Sequence, residues 1–255
     1  MRKIRDLFRP LFRMAVKPHI RRLCKKTSAQ FISYKNKYKG CRCFIVANGP
    51  SLRMDDLDRL SANGEITIGM NRIYMLFDRT QWRPTFYMVQ DPTIIRSCIK
   101  EIREQVIDSV KFVKVPGEPW YDIPNSIYFD VDYKKADKKL PPDFYDGSNY
   151  TFADAKSVSY TALQLAVYMG FDKIYLIGAD CNYSPDNKVI NAQSYPDKRM
   201  YDAKKTGSLP NMEYTFLGYE AAKYHAEAKS IKIYNATRGG KLEVFERVSL
   251  DNLLK

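Results

Sequence analysis

Asn48-Gly49-Pro50-Ser51 follows directly on the apolar run Cys43-Phe44-Ile45-Val46-Ala47, and a strand that stops on such a quartet has the chemistry of a phosphate-binding turn. Gly49 admits backbone angles closed to other residues. Pro50 or Ser51 can open a helix whose free N–H groups point at an anion. The same quartet also suits an ordinary strand-turn-helix corner, so its meaning depends on what else arrives at that edge. Four further polar tips follow β-prone runs: Asn71, Gln90-Asp91-Pro92, Asp180-Cys181-Asn182-Tyr183 and Asn235-Ala236-Thr237. Amide side chains both donate and accept, as ribose hydroxyls and base edges require. A single Asn after a strand equally forms an Asx-turn; recurrence at one edge is what points to a nucleotide.

Elements that could carry these tips alternate along the chain. Met54–Leu60 reads as a short helix, Glu65–Met70 as a second strand and Thr85–Val89 as a third. Thr93–Val106 has helical apolar spacing, and Val110–Val115 reads as a fourth strand. Ser157–Met169 is a helical stripe stopped by Gly170 before the strand Lys173–Gly178. A helix over Tyr219–Lys229 precedes the strand Ile231–Tyr234. Two polar, Tyr-containing stretches, Pro116–Phe152 and Asp180–Met212, are too long for plain connectors and read as lid-like insertions. The expected fold is therefore one Rossmann-like α/β domain over residues 41–255, with a mainly parallel sheet covered by helices on both faces and ligands beyond the carboxyl ends of the strands.

Charge separates this core from what precedes it. Of 42 Lys and Arg, thirteen lie in residues 1–40 against the single acid Asp6, so that segment carries +12 of the net +13 and the remainder is nearly neutral. A groove for nucleic acid needs its cations on the folded surface, so nucleic acid is not an expected partner. Within residues 1–40, Ile4, Leu7, Phe8, Leu11, Phe12, Met14 and Ala15 recur close to helical spacing, with Arg2, Arg5, Arg9, Arg13 and Lys17 on the other side and Pro10 and Pro18 as interruptions. Such a basic amphipathic extension suits an anionic membrane surface, where each cation is worth about 1 kcal/mol; packing on the core or a partner chain is the other use of that face. The Lys-rich stretch to Lys39 then reads as a solvated linker. Five cysteines without zinc or disulfide spacing fit a reduced, cytoplasmic setting. No run of about 20 apolar residues would span a bilayer, which leaves peripheral attachment at the inner membrane face.

Ile45–Leu52, Gly69-Met70-Asn71-Arg72, Phe86–Pro92, Ser157-Val158-Ser159 and Ile174–Asp180, in that order and spacing, resemble a superfamily that joins bacterial sialyltransferases using CMP-sialic acid to MptE-like proteins, named after an archaeal 6-hydroxymethylpterin pyrophosphokinase. The resemblance covers roughly Cys41 to Thr237. It implies that Asn48, Gly49 and Asn71 contact the CMP moiety, with Ser159 a further contact, and Pro50, Ser51, Gln90 and Asp180 complete the nucleotide-binding set. It implies that Tyr183 and Tyr195 hold the departing phosphate. The third-strand Asn-Pro of those enzymes is here Asp91-Pro92. Their catalytic His is replaced by Glu213-Tyr214, while His225 falls inside the helix, so Glu213 or Asp91 must deprotonate the acceptor hydroxyl.

The resulting expectation is transfer of a sugar, such as a nonulosonic acid, from a CMP-sugar donor to a surface-glycan or lipid-linked acceptor, with no cofactor required. Two alternatives stand beside it. One is a pyrophosphokinase using ATP, with Asp91 and Asp180 on Mg²⁺. The other is a non-catalytic nucleotide-binding protein recruited to membranes. A homo-oligomer is compatible with all three.

Overall fold

A computed structural model describes Pro18 and residues 22–115, 122–133, 140–182, 192–201 and 211–254. The expected amphipathic helix over 4–15 and Tyr183 lie outside the described residues. Nine strands form one sheet: β1 (Arg42–Val46), β2 (Ile66–Met70), β3 (Phe86–Val89), β4 (Val110–Lys114), β5 (Ser126–Asp132), β6 (Thr151–Ala153), β7 (Lys173–Ile177), β8 (Lys232–Asn235) and β9 (Glu246–Arg247). Their order is β6-β5-β4-β3-β2-β1-β7-β8-β9, and every pairing is parallel. The chain winds outward from β1 to β6, then returns to set β7 against the other side of β1. That reversal opens a crevice at the carboxyl ends of β1 and β7.

Both faces of the sheet are covered, as the unbroken apolar strands require. Cys43 and Ile45 of β1 point into a layer containing α4 (Val158–Met169) and α5 (Met212–Glu227), while Phe44 and Val46 point into the opposite layer with α2 (Met54–Ala62) and α3 (Pro92–Gln105). Helix α4 is buried nearly all round. The C-terminal α6 (Leu250–Leu253) closes the second layer with Leu250 and Leu254.

Two sequence expectations are corrected. The stretch 116–152 was expected as an insertion over the site, yet it supplies β5 and leads into β6, extending the sheet by two strands. Ser, Tyr and Asp within the run Ser126–Asp132, with Pro, Asn, Tyr and Lys on either side, mask its strand character. The Lys-rich stretch before Lys39 was expected as a solvated linker, yet it packs. Helix α1 (Ser28–Ser33) buries Phe31 completely among Tyr168, Tyr150, Phe112 and Phe152, at ring-centroid distances of 4.9, 5.4, 6.0 and 6.0 Å. Thr27 Oγ1 accepts the Tyr128 backbone N–H at 3.0 Å, fastening this helix to β5. Lysines at 35, 37 and 39 hide the apolar anchors Phe31, Tyr34 and Tyr38, the last stacked on Phe171 at 4.8 Å.

Candidate functional site

The exits of β1, β2, β3 and β7 meet around a cavity of about 790 Å³, together with the exit of β6 and the N-termini of α3, α4 and α5. Asn48, Gly49, Pro50, Asn71, Gln90, Asp91, Ser159, Asp180 and Tyr195 all line it. The last tip does not: Asn235 is fully buried, its Nδ2 donating to the Leu242 carbonyl and its Oδ1 accepting from Thr237 N. There the Asx-turn reading is the correct one.

The β1 turn works differently from its sequence expectation. Gly49 does not need an unusual φ; it needs space. A Cβ on it would stand 2.0 Å from Asp180 Oδ2 and 2.5 Å from the Gly178 carbonyl oxygen. Its N–H donates to that carbonyl at 2.8 Å. Ser51 donates to Asp180 Oδ2 from Oγ at 2.8 Å and from its backbone N at 3.4 Å, and Leu52 N donates to Gly49 O. Helix α2 starts only at Met54. The N–H groups at 49, 51 and 52 are thus spent inside the protein, and Ser51 stands behind the cavity wall. The turn brings Asn48 to the cavity without forming an anion cradle.

Two amide oxygens on that wall await donors. Asn48 Nδ2 donates to the Met70 carbonyl at 3.0 Å, which leaves its Oδ1 buried without a partner. Asn71 is held at φ 53° by its N–H to Met88 O and by Tyr87 Oη donating to its carbonyl at 2.6 Å; its Oδ1 is likewise buried and unpartnered. Short polar side chains tolerate this left-handed geometry better than branched ones do. A buried unsatisfied acceptor costs about 1–3 kcal/mol, so both favour a ligand bearing hydroxyl or amino donors.

The start of α4 has different chemistry. Ser157 stands at its N-cap with no capping side-chain hydrogen bond, and Ser157, Val158 and Ser159 all line the cavity. Ser157 Oγ and Ser159 Oγ lie 2.6 Å apart, and Ser159 Oγ lies 2.6 Å from Tyr219 Oη. An uncapped helix start beside a chain of three hydroxyls suits a phosphate. Ser157 entered the sequence reading only as part of the motif Ser157-Val158-Ser159, with no role of its own, and Tyr219 only as a helix boundary. Tyr219 follows Met212 at i+7 and Thr215 at i+4 on one face of α5, all three lining the cavity; that spacing becomes informative once α5 is known to begin at Met212 rather than at Tyr219.

The same register removes Glu213. Expected before the helix as a proton acceptor, it lies in the first turn of α5, exposed and off the cavity-facing stripe. Asn211 caps that helix through Tyr214 N. Asp91 does reach the cavity, half-buried, with Oδ1 accepting Thr93 N at 2.7 Å as the N-cap of α3. Asp180 is buried, which raises its carboxyl above the ordinary value against the opposing pull of Ser51. Burial pushes the Cys181 thiol up to about 12, so this cavity-lining sulfur is not a poised nucleophile. His225 stacks on Phe144 with ring centroids 5.1 Å apart, a packing role away from the site.

Tyr195 enters the cavity on residues 192–201, with Gln193 and Ser194. This segment is latched to the loop after β2. Arg72, itself buried, donates from Nη1 to the Met200 carbonyl at 2.7 Å, Arg199 pairs with Asp78, and Arg79 pairs with Asp197. Across the cavity, Asp154 follows β6 and pairs with Lys156, and Tyr133 follows β5. Among the described residues, the cavity lining carries the carboxylates Asp91, Asp154 and Asp180 against the one ammonium of Lys156. No three His, Cys, Asp or Glu side chains gather as a metal cluster among those residues.

A parallel sheet with its crevice at a strand-order reversal and helix N-termini turned into it defines a Rossmann-like α/β protein. The chain belongs to the 6-hydroxymethylpterin diphosphokinase MptE-like family, whose sequence pattern it matches over residues 18–186. That span begins upstream of α1. Among solved structures it is similar in fold to the MAf glycosyltransferase from Magnetospirillum magneticum AMB-1, with a TM-score of 0.55 and 17% identity over 90% of this chain. The chain corresponds to 39% of that larger protein. No curated protein sequence matches it. No helix among the described residues is long and apolar enough to cross a membrane.

Proposed function

We propose that this chain transfers a glycosyl group from a nucleoside monophosphate-activated donor, with CMP as the nucleotide, to a hydroxyl of a glycan or lipid-linked acceptor. The observation that carries this reading is the uncapped start of α4 beside Ser157, Ser159 and Tyr219, in the same cavity as the unpartnered amide oxygens of Asn48 and Asn71. The first group suits a single phosphate, and the second suits a nucleoside's donors. A lining with three carboxylates and one ammonium favours a ligand of low charge, as a monophosphate ester is.

In the proposed reaction the bond between the anomeric carbon and the phosphate oxygen breaks, and its electron pair leaves with the phosphate. The α4 N–H groups and the hydroxyls of Ser159 and Tyr219 stabilise that charge, and Tyr195 offers a further phenol. The acceptor oxygen forms the new bond to the anomeric carbon, and its proton passes to the Asp91 carboxylate, which the N-cap bond holds in place. The basic segment ahead of residue 22 would hold the enzyme at an anionic membrane, where lipid-linked acceptors reside.

A second reading follows the family description: a diphosphokinase in which Mg²⁺ on Asp91 and Asp180 supplies the positive charge the lining lacks. Asp180 suits this less well than Asp91, because Oδ2 is committed to Ser51. Hydrolysis assays with a CMP-sugar and with ATP, each with and without Mg²⁺, decide between them. CMP release without added metal supports transfer, whereas ATP turnover only with Mg²⁺ supports the kinase.

A further inference from the structure

The cavity has two chemically different ends. Over β1, β2 and β7 it presents amides, and at α4 it presents hydroxyls and N–H groups. Beyond Asp91, over the exits of β5 and β6, it presents Tyr133, Asp154 and Lys156. Nothing in the nucleotide reading uses this second end.

Its polar groups are held in place. Asp154 is 7% exposed; Oδ1 accepts the Lys156 backbone N–H at 2.9 Å, and Oδ2 pairs with the Lys156 ammonium. Lys156 adopts φ 59°, a left-handed angle for a long side chain, and its Nζ stands 5.4 Å from the Tyr133 ring centroid. Lys114 stands 5.5 Å from the same ring. Burial, with Asp154, Asp91 and Asp130 nearby, raises the Tyr133 phenol far above its ordinary value, so it stays a donor at every physiological pH. At the junction of the two ends, Gln90 is 6% exposed and accepts Thr161 Oγ1 on its Oε1. Gln90 lines the cavity there.

Fixed carboxylates alternating with N–H and O–H donors beside an aromatic ring are the complement of a polyol, because each hydroxyl both donates and accepts. A phosphate would meet Asp91 and Asp154 as like charges. A purely apolar group would leave Asp154 and Gln90 desolvated without new partners. We infer that the end of the cavity formed by Tyr133, Asp154 and Lys156, reached past Gln90, is a subsite for a glycosyl unit, with Asp154 accepting its hydroxyls. This rests on the transferase reading and adds where its sugar sits.

The test is saturation-transfer NMR with methyl α- and β-glycosides of glucose, galactose, mannose and N-acetylglucosamine, on the full chain with and without saturating CMP. At least one glycoside should receive saturation from the wild-type protein. That signal should fall about tenfold or more in Asp154→Asn, as loss of a charged hydrogen-bond acceptor implies. Lys156→Met provides a second variant should Asp154→Asn fold poorly, and should weaken the same signal. CMP affinity, measured by calorimetry on the same samples, should stay within about twofold of wild type in Asp154→Asn, whose carboxylate is bonded to Lys156 rather than to the amide wall or the N-terminus of α4; Lys156 adjoins the N-cap Ser157, so Lys156→Met is read by the glycoside signal alone. Displacement of the glycoside by an intact CMP-sugar but not by CMP assigns the subsite to the donor's sugar; retention assigns it to the acceptor. Either result supports a glycosyl subsite. Absence of glycoside binding in both states, or equal signals from wild type and Asp154→Asn, overturns it. Loss of CMP binding alone would sink the nucleotide reading while leaving this result readable.

Discussion

Ser51 and Asp180, 129 residues apart in sequence, are joined by a 2.8 Å hydrogen bond from Ser51 Oγ to Asp180 Oδ2, and this bond ties the exit of β1 to the exit of β7 where the strand order reverses. Gly49 lies between them, close enough that any side chain would occupy the carboxylate's position. The crevice owes its shape to this packing. Asn48, on the cavity side of the same turn, is aimed by it.

Gly49→Ala should therefore cost about 1–3 kcal/mol of stability, the usual penalty of overpacking a tight contact, and weaken nucleotide binding with it. Urea denaturation and calorimetry measure both. Wild-type stability in the variant would show that the turn can yield.

Asp180 gives stability a pH dependence of defined sign. Burial raises its carboxyl above the ordinary value of 3.8, so the native state binds a proton that the unfolded chain has already released. Its contribution is full below that ordinary value and is lost as pH rises through the native one. Asp180→Asn keeps an oxygen for Ser51 and removes the buried charge. The variant should gain stability relative to wild type between pH 4 and 7, followed by urea unfolding across that range. A relative loss over the same window would contradict the assignment.

Phe31 tests whether the stretch before β1 is part of the folded unit. Phe31→Ala empties a site lined by four aromatic rings and should cost about 3–5 kcal/mol, lowering the thermal midpoint sharply. A solvated linker would show no change.

The basic segment can be examined without disturbing that anchor, provided truncation stops ahead of residue 22, because Cys24 and Thr27 are buried. Removal of residues 1–21 should release the protein from vesicles containing anionic lipid while leaving the thermal midpoint within about 2 °C, as expected for loss of surface electrostatics alone. Equal retention on vesicles would reject a role for this segment at the membrane.

Much of this architecture is legible in the chain because apolar runs alternate with helical stripes. The strands from β1 to β4, with β7 and β8, fall within a residue or two of where composition places them. β6 was missed because it has three residues at the sheet edge, and β5 because its run Ser126–Asp132 mixes Ser, Tyr and Asp with its apolar residues and is flanked by Pro, Asn, Tyr and Lys. The site was readable to the extent that strand exits converge: Asn48, Asn71, Gln90, Asp91 and Asp180 do meet. Local sequence could not tell which polar groups turn inward. Ser51 looks like an anion ligand until the fold brings Asp180 behind it, and Tyr219 looks like helix packing until Ser159 stands 2.6 Å away. Glu213 failed because the helix begins at Met212 rather than Tyr219, which puts Glu213 about 100° around the helix from the cavity-lining Met212.

The measurement closest to the central claim is calorimetric titration of CMP, without added metal, into wild type, Ser159→Ala and Tyr219→Phe. Wild type should bind, and each variant should lose about 10- to 100-fold in affinity, the worth of a hydrogen bond to a charged phosphate, while keeping its thermal midpoint. No binding of CMP to the wild type, or unchanged affinity in both variants, would contradict a monophosphate held at the start of α4.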